Sequence, residues 1–107
     1  MVGVEGSVHV LSWRAVRTAS SDLHLMLMRE GGAVRNTSAV AFVDAGRRAL
    51  VTSSGAYVLH GPPEAEPVTK DMLLANAARI GLADAEDVSE ALWSELCSAR
   101  AVGRSPS

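Results

Sequence analysis

The chain has 107 residues, 48% of them apolar and 21% charged, with a formal net charge of −2 and a single cysteine. This length suits one domain with its own core, and the balance of apolar to charged residues excludes a disordered chain. The small negative total speaks against general nucleic-acid binding, Cys97 alone excludes an internal disulfide or a cysteine-built zinc cage, and no apolar run approaches the roughly 20 residues of a membrane helix.

From Ser7 to Arg17 the segment SVHVLSWRAVR is rich in β-branched and aromatic residues and reads as a strand, with TASSD at 18–22 as its turn. Its apolar phase changes between Val8/Val10 and Leu11/Trp13, which predicts a bulge near Val10 or burial on both faces. Residues 23–30 form the next strand, with Leu23, Leu25 and Leu27 on one face and His24, Met26 and Met28 on the other. A strand apolar on both faces is central or covered. Ala33 to Val43 reads as a third strand closed by Asp44-Ala45-Gly46-Arg47, and residues 48–52 and 56–60 flank a turn at Ser53-Ser54-Gly55.

After His60 the texture changes. Gly61-Pro62-Pro63-Glu64-Ala65-Glu66-Pro67 is a connector of extended character, because proline cannot donate to a ladder. Thr69 then suits the cap of a helix over about 70–80, stopped at Gly81. Asp84 suits the cap of a second helix over about 85–101, with an apolar stripe of Val88, Leu92, Leu96 and Ala99 widened by Trp93 and Cys97. The predicted fold class is α+β: an antiparallel meander of about five strands, then two helices packed on one sheet face. Residues 1–107 make one domain, with a loose tail at 102–107.

Charge is unevenly spread. Residues 1–60 hold six arginines against four carboxylates, whereas residues 61–107 hold four cations against eight carboxylates. The N-terminal stretch MVGVEGSVHV carries Glu5 where a secretion signal needs basic residues, so a cytoplasmic location is expected. Eight carboxylates near two helices allow an acidic decoy of nucleic acid, although a soluble helix surface has the same composition.

TSSGAYVLH raises the question of a serine nucleophile with its base. In a hairpin, His60 lies at the far end of its strand from Ser53 and Ser54, roughly 20 Å away at about 3.4 Å per residue, so the base cannot reach. The stretch is also unlike a Gly-x-Ser-x-Gly elbow. His9, His24 and His60 lack HxH or HxxxH spacing, and a joint site among them needs a fold the pattern does not dictate. No cofactor, metal or catalytic residue is expected on the leading reading, which is non-enzymatic. The alternative is a small-ligand binder or minor enzyme using His24 or His60 with Asp22 or Asp71, between sheet and helices.

The sheet's apolar content carries the leading reading. Met26, Met28 and Phe42 stand among strands apolar on both sides, and two helices cover one face. The other face then meets a partner protein or a second copy, unless the sheet curls to bury it. Arg14, Arg35, Arg47 and Arg48 border that face and suit an acidic partner. The expected contact residues are therefore Arg14, Met26, Met28, Arg35, Phe42, Arg47 and Arg48.

Thr52, Ser54, Gly55, Tyr57, Leu59 and Gly61, within TSSGAYVLHGPP at 52–63, resemble a hairpin of small phage and prophage proteins of the anti-CRISPR type. Nine arginines against the single Lys70 agree with a GC-rich coding source. The resemblance implies a phage- or mobile-element-encoded inhibitor or adaptor that binds a host protein or complex stoichiometrically. It implies neither direct nucleic-acid nor membrane contact, allows a homodimer, and assigns no contact residues.

Overall fold

The computed structural model describes the backbone of residues 7–29, 31–82 and 84–104, with side chains described between residues 8 and 98. Its architecture turns on the phase change near Val10. Residues 7–17 follow one path in two strands, β1 (Ser7–Val10) and β2 (Ser12–Arg17). Val10 and Trp13 are 1% and 0% exposed, although residues three apart point to opposite faces of an unbroken strand. Leu11 absorbs the mismatch outside either ladder.

Past the bend the two halves find different partners. β3 (Leu23–Met28) pairs antiparallel with β2, Trp13 opposite Leu27 and Val16 opposite His24. β4 (Val34–Asn36) extends that sheet on one side. β5 (Val40–Asp44), β6 (Ala49–Thr52) and β7 (Gly55–Leu59) make the antiparallel run of the other sheet, which β1 joins in parallel beside β7. The strand orders are β1-β7-β6-β5 and β4-β3-β2-β8, where β8 is the two-residue strand Glu86–Asp87. Among the described residues, eight strands in two sheets replace the single five-strand meander.

Two features of the chain explain the difference. The bend at Leu11 divides the first expected strand, and the third, 33–43, is cut at Thr37-Ser38-Ala39, where the chain crosses between sheets. Thr37 anchors this crossing from a buried position: its N–H donates to the Leu25 carbonyl (3.0 Å), and its hydroxyl oxygen accepts from the Leu25 N–H (3.2 Å).

Helix α1 (Pro67–Arg79) is capped about three residues earlier than expected, at Glu66 rather than Thr69, and Pro67 occupies the first turn, where no intrahelical donor is needed. The Glu66 carboxylate accepts the Thr69 N–H at 2.8 Å, a bond that holds this carboxyl below its ordinary range. Gly81 (φ 94°) ends the helix as expected, its N–H donating to Ala78 O at 3.1 Å while Leu82 N–H donates to Ala77 O at 2.8 Å. Helix α2 (Ser89–Arg104) starts later than expected. Asp84 is not its cap, because residues 86–87 first pair with β2, and Asp87 then accepts the Ser89 N–H at 3.2 Å. The helix includes 102–104, part of the expected tail; 105–107 lie outside the described residues.

The helices cover opposite faces of the β4-β3-β2-β8 sheet rather than one. Leu92 and Leu96 of α2 join Trp13, Ala15, Leu23, Leu25 and Leu27 in the larger core, which also takes Leu50 and Leu59 from the other sheet. Leu73 and Ala77 of α1 meet Val16 and Met26. The alternation of β3 requires this arrangement: its leucines and Met26 point to opposite sides, and full burial contributes about 1.5–3 kcal/mol for each such side chain.

Candidate functional site

Where the two sheets part, a groove of about 890 Å³ opens beside the bend, lined by Val8, His9, Leu11, Ser12, Leu27, Met28, Arg29 and His60. An adjoining notch of about 110 Å³ shares Val8, Leu27 and Arg29 and adds Arg35, Asn36 and Tyr57. The volume of the groove falls within the range of ligand sites. Its wall includes β1, an edge strand that pairs with β7 and with no other described strand. Leu11 stands 79% exposed at this place, the most exposed of the large apolar side chains described. Among the described residues, the charged ones lining groove and notch, Arg29 and Arg35, are both cationic.

At the groove wall two imidazoles meet. His9 Nδ1 lies 2.5 Å from His60 Nε2, with ring centroids 4.7 Å apart and planes inclined at 45°. The parallel ladder makes this contact: His9 is opposite Val58, and His60 N–H donates to Val10 O at 2.9 Å, so the rings sit on adjacent strand positions 51 residues apart in sequence. Both side chains are exposed. Nearby, Ser12 donates its hydroxyl to Glu64 Oε1 at 2.5 Å, while Glu64 Oε2 accepts the Glu66 N–H at 3.1 Å. That carboxylate is thereby spent on fixing the connector.

Arg14, one residue beyond Trp13, has the opposite character. It is 1% exposed and donates to Asp87 (2.5 Å), to both carboxylate oxygens of Glu90 (2.8 and 2.9 Å) and to the Glu64 carbonyl (2.8 Å). Ser89 completes the joint, accepting from Ala15 N–H at 2.8 Å and donating to Asp87 at 2.5 Å. Burial works to raise the Asp87 carboxyl, but hydrogen bonds from Ser89 and Arg14 outweigh it and hold the group below its ordinary value. The Arg14 bonds likewise lower Glu90. This clasp ties β2, the connector, β8 and α2 together.

The expected contact residues are therefore scattered. Met26, 0% exposed, is core against α1, and Arg14, 1% exposed, is enclosed in the clasp, its two terminal nitrogens bonded and its Nε buried without a partner; neither residue offers a surface to a partner. The physical reason is that both faces of β3 are covered. Met28 is half-buried in the groove wall and Arg35 is exposed in the notch. Phe42, 59% exposed, lies on β5 at the other edge of its sheet, away from β1. Arg47 is exposed at the turn beside Asp44 (3.8 Å), and Arg48 lies over the Trp93 ring, 4.9 Å from its centroid.

The turn at 53–54 is a hairpin tip: Thr52 is opposite Gly55, and the Thr52 hydroxyl oxygen accepts the Ser54 N–H at 3.1 Å. His24 Nδ1 lies 3.1 Å from Thr37 O, and Asp22 is engaged with Ser20 and Thr18 of its own turn rather than with His24. Among the described residues no three His, Cys, Asp or Glu side chains gather as a metal cluster, and no helix is long and apolar enough to cross a membrane. The groove residues His9, Leu11, Ser12 and Arg29 were not expected contacts; the phase change at Val10/Leu11 is the signal that marks their position. No protein-family model, curated protein or solved structure matches the chain.

Proposed function

We propose that the protein is a non-catalytic binding module whose groove at the Leu11 bend takes an extended, acidic and partly apolar segment of another protein. The observation that carries this reading is Leu11, 79% exposed beside an edge of β1 that no other described strand pairs, in a groove whose described charged lining is cationic. A peptide strand added to β1 gains backbone hydrogen bonds, and alternate side chains meet Leu11 and Met28. Arg29 and Arg35 favour carboxylates, with guanidinium geometry suited to two-point contact. Stoichiometric binding to a host protein inside the cell, the mode implied by the hairpin resemblance, is compatible with this surface.

Peptide display on the purified protein tests the reading. Enriched sequences should place Asp or Glu beside apolar residues and should lose binding to Leu11→Asp and Arg29→Glu while retaining it on Phe42→Asp. Selected peptides that bind Leu11→Asp as well as wild type would refute the groove.

A further inference from the structure

We propose that His9 and His60 form a two-imidazole site for a divalent transition-metal ion at the groove wall. His9 Nδ1 and His60 Nε2 point at each other across 2.5 Å, closer than the about 2.7–3.2 Å of ordinary hydrogen bonds from nitrogen. Two imidazole lone pairs aimed at one point repel unless something electropositive lies between them. In a neutral pair a single N–H fills that place. A metal ion fills it with two dative bonds, and no described residue offers either nitrogen another partner.

The geometry needs little change. Metal–imidazole bonds of about 2.0–2.1 Å at square-planar or tetrahedral angles separate the donors by about 2.9–3.4 Å. The nitrogens must therefore part by under about 1 Å, which small side-chain rotations of two exposed rings supply. The backbone needs no adjustment, since the β1–β7 ladder and the His60 N–H to Val10 O bond already hold the two strands in register. The tilt of 45° leaves the rings edge-directed rather than stacked, as two ligands of one ion require.

Two protein ligands leave coordination positions open to the groove, for water or an anionic group. Such a site is exchangeable, unlike a closed structural zinc centre. Imidazole donors favour Cu²⁺, then Ni²⁺ and Zn²⁺, over Mg²⁺ or Ca²⁺. This inference is independent of peptide binding, because the chain alone supplies both ligands.

The test is titration of the untagged full chain with NiCl₂ and with ZnCl₂ by calorimetry, beside His9→Ala, His60→Ala, His24→Ala and Cys97→Ser. His24 and half-buried Cys97 are the controls, being the described imidazole and thiol outside the pair. One ion per wild-type chain is expected, unchanged in His24→Ala and Cys97→Ser. Losing either member of the pair should raise Kd at least about tenfold, because the second donor no longer binds intramolecularly. Urea midpoints check that the variants fold, and His9→Asn and His60→Asn replace any that do not. Zinc should also shift the imidazole ¹⁵N resonances of His9 and His60 and leave those of His24. Equal Kd in all variants, loss of binding with His24 or Cys97, or imidazole resonances unmoved by millimolar zinc would each overturn the proposal.

Discussion

The bent strand of residues 7–17 carries two polar devices, one on each side of Leu11, and they differ in how completely they are satisfied. Arg14 is buried, and its charge is answered by two carboxylates and a carbonyl. His9 is exposed, and its imidazole meets only another imidazole. Both devices reach the segment that follows β7, Arg14 through the Glu64 carbonyl and His9 through His60. The contrast separates structure from site: a buried charge met by counter-charges holds elements together, whereas exposed donors without counter-charges are free to act on something else.

Substitutions can break that comparison. The largest expected loss lies in the shared core: Trp13→Ala removes a 0% exposed indole whose N–H donates to Gly61 O at 3.0 Å, and should destabilise by about 3–5 kcal/mol in urea unfolding. A loss under about 1 kcal/mol would mean that the two sheets do not share this core. Arg14→Met should come next. Removing one partner of a buried pair costs about 3–5 kcal/mol, and the lower end applies because the Glu90 side chain keeps 70% of its exposure. Removing the wild-type Arg14 is expected to leave groove binding intact.

The clasp also has a pH signature. Asp87 and Glu90 have folded values below their ordinary ones, so their contribution is present above the unfolded values of about 3.9 and 4.3 and is lost as pH falls through the lower folded values. Urea midpoints should therefore decline below about pH 4, and less steeply in Asp87→Asn than in wild type. An identical decline in both would assign acid sensitivity elsewhere. The smallest effect belongs to the other device: His9→Ala, at an exposed position, should change stability by no more than about 0.5 kcal/mol. A change comparable with Arg14→Met would make the imidazole pair structural.

Much of this was legible in particular residues. Ser53-Ser54 between strand patterns marked the β6–β7 hairpin, Gly81 the end of α1, and Leu92 and Leu96 the buried stripe of α2. The alternation of Leu23, Leu25 and Leu27 with Met26 showed a strand apolar on both sides, but not that a helix covers each side, so the Met26 face read as a partner surface where α1 in fact packs. The bend at Val10/Leu11 was visible as a phase change. What it leads to was not, because the parallel pairing of β1 with β7 joins residues about fifty positions apart, and local pattern carries no term for such a contact. For the same reason His9 and His60 looked unrelated. Arg14 looked like a rim residue because its partners, Asp87 and Glu90, lie on elements whose placement only the tertiary fold decides.

The central claim is that the Leu11 bend forms a binding groove separable from the fold. It is tested most directly by the ¹⁵N amide spectrum of Leu11→Asp titrated with a peptide selected on wild-type protein, since one spectrum reports both fold and binding. The account predicts a native spectrum that the peptide does not move. A native spectrum showing the wild-type shifts, or a collapsed one revealing Leu11 as structural, would contradict it.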